Sequence, residues 1–218
     1  MSKTIDFIKQ VFQGKSFYRI LSNWQIQKHC RNLSGLCLDL AAGEKPSYTQ
    51  YWSFSQGARL IKTDYNETKG VNLRIDFNQP LPLSDDSLDN IFLFGAIYIV
   101  KEPDKLVKEI YRVLKKNGKF FIVSPFVFNE ANEPDDFRRL TSQGLSDLLT
   151  ESGFSNFLII PFGERFSASA HLLHSFFVFN FIRLVVFSLA LLFDELIPNK
   201  IKRLHPCPVG YFVIAKKS

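Results

Sequence analysis

A short apolar run, Leu36-Cys37-Leu38-Asp39-Leu40, stops against a turn of small residues, Ala41-Ala42-Gly43, and a second apolar run closes on Asp64. The first run has the length of a parallel strand buried on both faces. The turn removes side-chain bulk where backbone amides can approach a ligand, and the pattern predicts a helix starting near Ser47. Asp64 lies 25 residues after Asp39, about the separation at which doubly wound folds set an acid against ribose hydroxyls. This order of elements points to a nucleotide-type cofactor site at the start of an α/β domain.

The alternation continues along the chain. Strands are expected near residues 36–40, 59–63, 73–76, 89–94, 119–123, 156–161 and 209–216. Residues 4–12 and 16–30 carry Phe17, Ile20, Leu21, Trp24 and Ile26 at helical spacing, which suits amphipathic helices capping the cofactor cleft. A helix over 104–115 places Leu106, Ile110, Val113 and Leu114 on one face, with Asn117-Gly118 as its stop. A further helix is expected over 142–152.

The 218 residues suit one domain with an elaboration. Three widely spaced cysteines, Cys30, Cys37 and Cys207, form neither a zinc-type nor a paired disulfide pattern, so a reducing cytoplasm is the expected location and no metal site is expected. The first 30 residues lack the character of an export leader. The net charge of +6 is concentrated at the two ends: residues 1–31 hold six Lys or Arg against one acid, and residues 199–218 hold five against none. Such ends are attracted to anionic lipid, nucleic acid or an acidic substrate, or are ordinary solvated surface. No RNA-binding signature accompanies them, and nucleic acid is not an expected partner.

The segment from Asp76 to Pro125, with its acidic strand end, Pro-flanked loop and Arg112-Val113-Leu114-Lys115 before Gly118 and a strand, resembles the class I S-adenosylmethionine-dependent methyltransferases of the type 11 group. The resemblance covers about Leu36 to Phe154. It implies an α/β, doubly wound, Rossmann-like sheet of seven mostly parallel strands with an antiparallel last strand at Val209–Lys216, and S-adenosylmethionine as cofactor. It also implies roles by position. Asp39 would pair with the donor's amine, Ala41 and Gly43 would form the glycine-type loop, Asp64 would accept both ribose hydroxyls, and Asp76 with Phe77 would hold the adenine, with Gly95 at the end of the fourth strand. The loop departs from D-x-G-x-G-x-G: Ala41 and Lys45 replace its first and last glycines, followed by Pro46 and Tyr48. Alanine takes positive φ less cheaply than glycine.

A second departure follows the fourth strand, where the family's Leu-Glu-His segment is replaced by Ile97-Tyr98-Ile99. Strand ends in open sheets carry the working side chains, so Tyr98 is the candidate to face donor or acceptor, with aromatic packing under the cleft as the alternative. Methyl transfer from a sulfonium depends largely on positioning and desolvation, so the lack of an obvious base is compatible with it. The segment from Pro134 to Phe154 resembles the family's lead into a helix, with Asp136, Arg139 and Thr141 at matching positions and Thr141 read as a helix cap.

Between the sixth and seventh strands the chain carries a long insert, residues 162–208, after cap helices at 1–32 and a core at 33–161. Residues 172–193 hold one full charge, Arg183. That run is long enough to cross a bilayer, but a central arginine opposes insertion and the returning strand would need a second span. Three readings are open: an interfacial membrane helix, a homodimerisation helix, or a lid over an apolar acceptor. Asn180, Arg183, Ala190 and Asp194 share one face, opposite a broad aromatic one. The sequence therefore describes a cytoplasmic, membrane-peripheral or dimeric methyltransferase acting on a small-molecule, lipid-linked or glycan-precursor acceptor. Its rivals are a catalytically silent scaffold of the same fold and a nicotinamide-dependent oxidoreductase, the latter disfavoured by the missing G-x-G-x-x-G.

Overall fold

The computed structural model describes residues 2–43, 46–65, 70–77, 79–131 and 135–218. The strands are β1 (Leu36–Leu40), β2 (Arg59–Asp64), β3 (Leu73–Arg74), β4 (Leu88–Phe94), β5 (Leu114–Pro125), β6 (Asn156–Phe162) and β7 (Gly210–Lys216). They form one seven-stranded sheet in the order β3-β2-β1-β4-β5-β7-β6. Neighbours from β3 to β5 are parallel, whereas β7 runs antiparallel between β5 and β6. The chain order reverses between β1 and β4, which opens a crevice at their carboxyl ends, where ligands bind in open α/β sheets.

Strand alternation sorts the core into two layers. Phe92, Phe94, Phe121 and Phe212 face one side, where they meet α1 (Lys3–Phe12), α2 (Phe17–His29), α5 (Arg165–Leu172) and α6 (Asn180–Leu196). Leu38, Ile91, Leu93, Phe120 and Ile122 face the other, under α3 (Pro103–Val113) and α4 (Ser142–Glu151). The abundant phenylalanine is thus largely an aromatic layer: Phe92 stacks on Phe121 at 5.3 Å, and Phe17 of α2 stacks on Phe187 of α6 at 4.2 Å. Rings at these separations add attraction to what their burial supplies.

Three expectations are corrected. No helix begins near Ser47; residues 47–51 are turns, because Tyr48, Tyr51 and Trp52 are drawn against the sheet to pack with the Phe92–Phe94 layer of β4. Helix α3 ends at Val113, and Asn117-Gly118 belongs to the start of β5. Asn117 takes a positive φ there and its N–H donates to the Lys217 carbonyl, so the pair shapes the strand rather than stopping the helix. The apolar run at 172–193 is not one helix: a 3-10 turn at His174–Phe176 precedes α6. Among the described residues no helix is long and apolar enough to cross a membrane.

The insert is locked to the fold by a buried carboxylate. Asp194 of α6 accepts backbone N–H bonds from Glu164 (3.1 Å), Phe166 (2.9 Å) and Ser167 (3.2 Å), which are the otherwise unpaired donors at the start of α5. At its other end, Arg183 donates to the Phe177 and Gly14 carbonyls and Asn180 to that of Phe12, tying α6 to α1. A short helix, α7 (Asn199–Leu204), follows. Asp194→Ala leaves those donors buried without a partner and is expected to lower unfolding stability by about 2 kcal/mol, read as a lower midpoint in chemical denaturation. An unchanged midpoint would mean that water replaces the carboxylate.

Candidate active site

The site is built on the end of β1. Asp39 has no exposure to water, and the Tyr48 hydroxyl donates to its carboxylate, 3.0 Å from both oxygens. Its backbone carbonyl accepts from the Thr63 hydroxyl of β2 at 3.2 Å. Burial pushes the Asp39 carboxyl up to about 7, against the opposing effect of the Tyr48 hydrogen bond.

The turn that follows is held left-handed. Ala41 sits at φ +59° and Gly43 at +64°. Alanine there carries strain of roughly 1–2 kcal/mol, and two backbone bonds hold the turn in place. The Ala42 N–H donates to the Thr63 carbonyl at 2.8 Å, and the Gly43 N–H to the Asp64 carboxylate at 2.9 Å. Asp64 therefore links the end of β2 to the turn while facing the crevice.

Two cavities meet at Phe94 and Gly95, at the end of β4. The larger, about 560 Å³, is lined by Ala41, Asp64, Asp76, Phe77 and Gly95, with Phe137 across from them. The smaller, about 350 Å³, is lined by Gly43, Tyr48, Tyr98 and Phe128, with Tyr18 and Asn23 of α2 as its far wall. Gly95 takes φ +68°, and a Cβ on it would stand 3.7 Å from the Tyr18 hydroxyl, so glycine keeps the junction between the cavities open. The Tyr18 hydroxyl is buried and has no hydrogen-bond partner among the described residues. Beside it lies His171, whose imidazole is pushed down to about 4 by burial and is therefore neutral at ordinary pH.

The structure thus brings Ala41, Asp64, Asp76, Phe77 and Gly95 to one cavity and Gly43 and Tyr98 to its neighbour, while Asp39 lies beneath the turn and lines neither. Lys45 lies outside the described residues. Tyr98 is half-buried, with the Arg139 guanidinium 5.2 Å from its ring centre. Arg139 is itself paired with Asp136, whose carboxyl it holds below the ordinary range, and Arg138 donates to the Lys101 carbonyl. These charges brace residues 135–139; Thr141 caps α4, accepting from the Gly144 N–H at 3.0 Å. Sequence reasoning missed Tyr18, Asn23 and Phe128. Tyr18 and Asn23 left a faint signal, as polar-tipped residues inside the apolar pattern of α2.

Residues 38–122 match the family described as the methyltransferase domain. No match was found among curated proteins. Among solved structures, an S-adenosylmethionine-dependent methyltransferase from Archaeoglobus fulgidus aligns with a TM-score of 0.60 at 16% identity, over 97% of this chain and 99% of the other. A phosphoethanolamine N-methyltransferase 2 from Haemonchus contortus, in complex with S-adenosyl-L-methionine, aligns at 0.59 and 15% identity over 100% of this chain and 57% of the other. The SpnF cyclase aligns at 0.54 and 17% identity, over 90% of this chain and 79% of the other. Identities this low speak for the fold alone. Residues 38–122 thus match a methyltransferase domain whose family uses S-adenosylmethionine, and the strand order and the position of the crevice are those of the Rossmann-like methyltransferase fold.

Proposed function

We propose that the protein transfers a methyl group from S-adenosylmethionine to a small-molecule, lipid-linked or glycan-precursor acceptor held in the Tyr18–Tyr98 cavity. The single observation that carries this reading is the junction of two cavities at Gly95, one presenting carboxylates at strand ends and the other presenting hydroxyls and aromatic rings. When bound, the donor supplies a methyl group already activated on a sulfonium. Asp64 is suited to ribose hydroxyls, because it is fixed by the Gly43 N–H and borders the larger cavity. Asp76 and Phe77 line the same cavity and suit an adenine, the first by hydrogen bonding and the second by stacking. Asp39 reaches the cavity wall through Tyr48, which makes the tyrosine the relay to a cationic amine. Tyr18 and Tyr98 stand where they can orient an acceptor, and the aromatic walls exclude water, so positioning and desolvation carry the rate.

A second reading, a catalytically silent binding or scaffolding protein, draws support from Ala41, whose left-handed backbone is strained where the family pattern has glycine. Donor binding separates the two. Calorimetric titration is expected to give micromolar affinity for S-adenosylmethionine and S-adenosylhomocysteine and none for NAD. Asp64→Ala is expected to weaken both by on the order of 100-fold, the loss of two hydrogen bonds to a charged acceptor. Absent binding of either sulfur compound would favour the scaffold.

The buried Asp39 adds a pH signature. Its folded-state carboxyl lies above the unfolded one, so its contribution to stability is present below about pH 4 and is lost as pH rises towards about 7. A cationic amine brought near it favours the ionised form. Donor binding at pH 6 is therefore expected to release a proton, detected as buffer-dependent heats that disappear at pH 8 and in Asp39→Asn. Equal heats in all buffers at pH 6 would remove Asp39 from the donor site. Tyr18→Phe deletes a buried hydroxyl that has no partner among the described residues and is expected to raise the stability of the ligand-free protein by about 1 kcal/mol. A lower melting temperature would mean the hydroxyl is already satisfied.

A further inference from the structure

Helix α6 has two apolar faces. One enters the core through Phe187, Ala190 and the Asp194 carboxylate. The other carries Phe181, Ile182, Val185, Leu189, Leu192 and Leu196, each between 42% and 69% exposed. At the α-helical repeat these residues form a stripe about 100° wide. The segment leading into the helix continues it, with Phe176 76%, Val178 77% and Phe179 69% exposed. Helix α1 extends the same surface: Ile5, Ile8 and Phe12 are exposed at i, i+3 and i+7, and the Phe12 carbonyl accepts from Asn180 at the start of α6. Helix α7 adds Ile201 and Leu204. An apolar surface of this extent marks an interaction site.

The charges around it favour one occupant. Lys9 flanks the α1 stripe, and Lys200, Lys202 and Arg203 follow α6 directly. The only exposed acid of α6 is Glu195, at the side of the stripe, and residues 199–218 contain no acid at all. A two-fold dimer through this surface would set the same patch against itself, with one acid per copy to answer the cations. An anionic bilayer answers them all, and its acyl boundary receives the aromatic stripe. Helix α6 is 17 residues long, about 25 Å, short of the roughly 30 Å hydrocarbon core. It is also bound along its other face to the fold, so it lies in the interface rather than across it.

We propose that the joined surface of α1, the 176–179 segment, α6 and α7 seats the protein on an anionic lipid surface as a monotopic module. The acceptor cavity opens beside it. Gly14, which accepts from Arg183 of α6, is two residues from Ser16 on the cavity wall, and Phe17 stacks on Phe187 while the adjacent Tyr18 faces the cavity. None of the residues lining either cavity comes from α6, so the helix serves as a seat rather than a lid. Docking so placed would bring a membrane-borne acceptor to the rim of the site. The docking claim itself rests on the surface and does not depend on the methyl-transfer reading.

Vesicle flotation of the full chain tests it, with phosphatidylcholine vesicles and with vesicles containing one quarter phosphatidylglycerol. The anionic vesicles are expected to capture the protein at low salt and to release much of it at 0.5 M NaCl. Because the three side chains are exposed, the combined variant Phe176→Ser, Phe179→Ser and Phe181→Ser is expected to stay folded, shown by unchanged S-adenosylhomocysteine binding relative to the parent, while vesicle affinity falls at least about a hundredfold. Replacing Lys200, Lys202 and Arg203 by Ala is expected to weaken anionic-vesicle affinity at least about tenfold. Flotation with neither vesicle, or flotation that survives the triple Ser variant, overturns the proposal. So does a dimer in light scattering that the Ser variant dissociates without any vesicle binding by the parent. Failure to bind S-adenosylhomocysteine in the parent would instead count against the donor site alone.

Discussion

A carboxylate without exposure to water sits at the end of β1, and the crevice is arranged around keeping it there. Asp39 cannot stay buried without a donor, and its nearest one is the Tyr48 hydroxyl nine residues ahead. Drawing Tyr48 inward folds residues 47–51 back against the sheet, brings Trp52 onto Phe92 and Phe94, and removes the helix that would otherwise follow β1. Beside it, Ala41 takes a left-handed conformation and the Gly43 N–H donates to Asp64. The shape of the crevice thus follows from satisfying one buried acid.

The helices above the crevice depend on a second polar device. Asp6 accepts from Gln10 at 2.7 Å and from the Tyr51 hydroxyl at 3.0 Å, and Gln10 in turn accepts from Asn23 at 2.8 Å. All of these carboxylate and amide groups are buried. The network fixes α1 and α2 to the turn after β1, so the wall bearing Tyr18 and Asn23 is positioned relative to the larger cavity. Fully paired buried networks of this kind specify geometry more than they add net stability. On the far side of α2, Phe17 stacks on Phe187, and the insert becomes the outer support of the smaller cavity.

Much of the fold was legible because strand and helix periodicities are local. The five-residue run at Leu36–Leu40, the face of α3 and the returning strand at Gly210–Lys216 all formed as their patterns indicated. Elements set by distant partners were not legible. The missing helix at Ser47 depends on Tyr48 reaching Asp39, and the early end of α3 depends on Asn117 pairing with Lys217 across the sheet. For the site, the spacing of Asp39 and Asp64 and the resemblance to the family single out Ala41, Asp64, Asp76, Phe77 and Gly95, and these five line one cavity. The opposite wall was invisible, since Tyr18 and Phe128 lie far apart in the chain and are joined only by packing, with their rings 5.2 Å apart. The polar face of α6 was readable, as Asn180, Arg183 and Asp194 all turn inward to hydrogen-bonding partners. The break before α6 was not, because nothing in the apolar run signals it.

The central claim is that one crevice holds the donor across the Gly95 junction. The most direct measurement is a crystal structure of the protein with S-adenosylhomocysteine. The ribose hydroxyls are expected within hydrogen-bonding distance of the Asp64 carboxylate, the adenine beside Asp76 and Phe77, and the sulfur next to Gly95, facing the cavity of Tyr18 and Tyr98. An adenine placed in the Tyr18 cavity, or a ligand bound away from Asp64, would contradict the account.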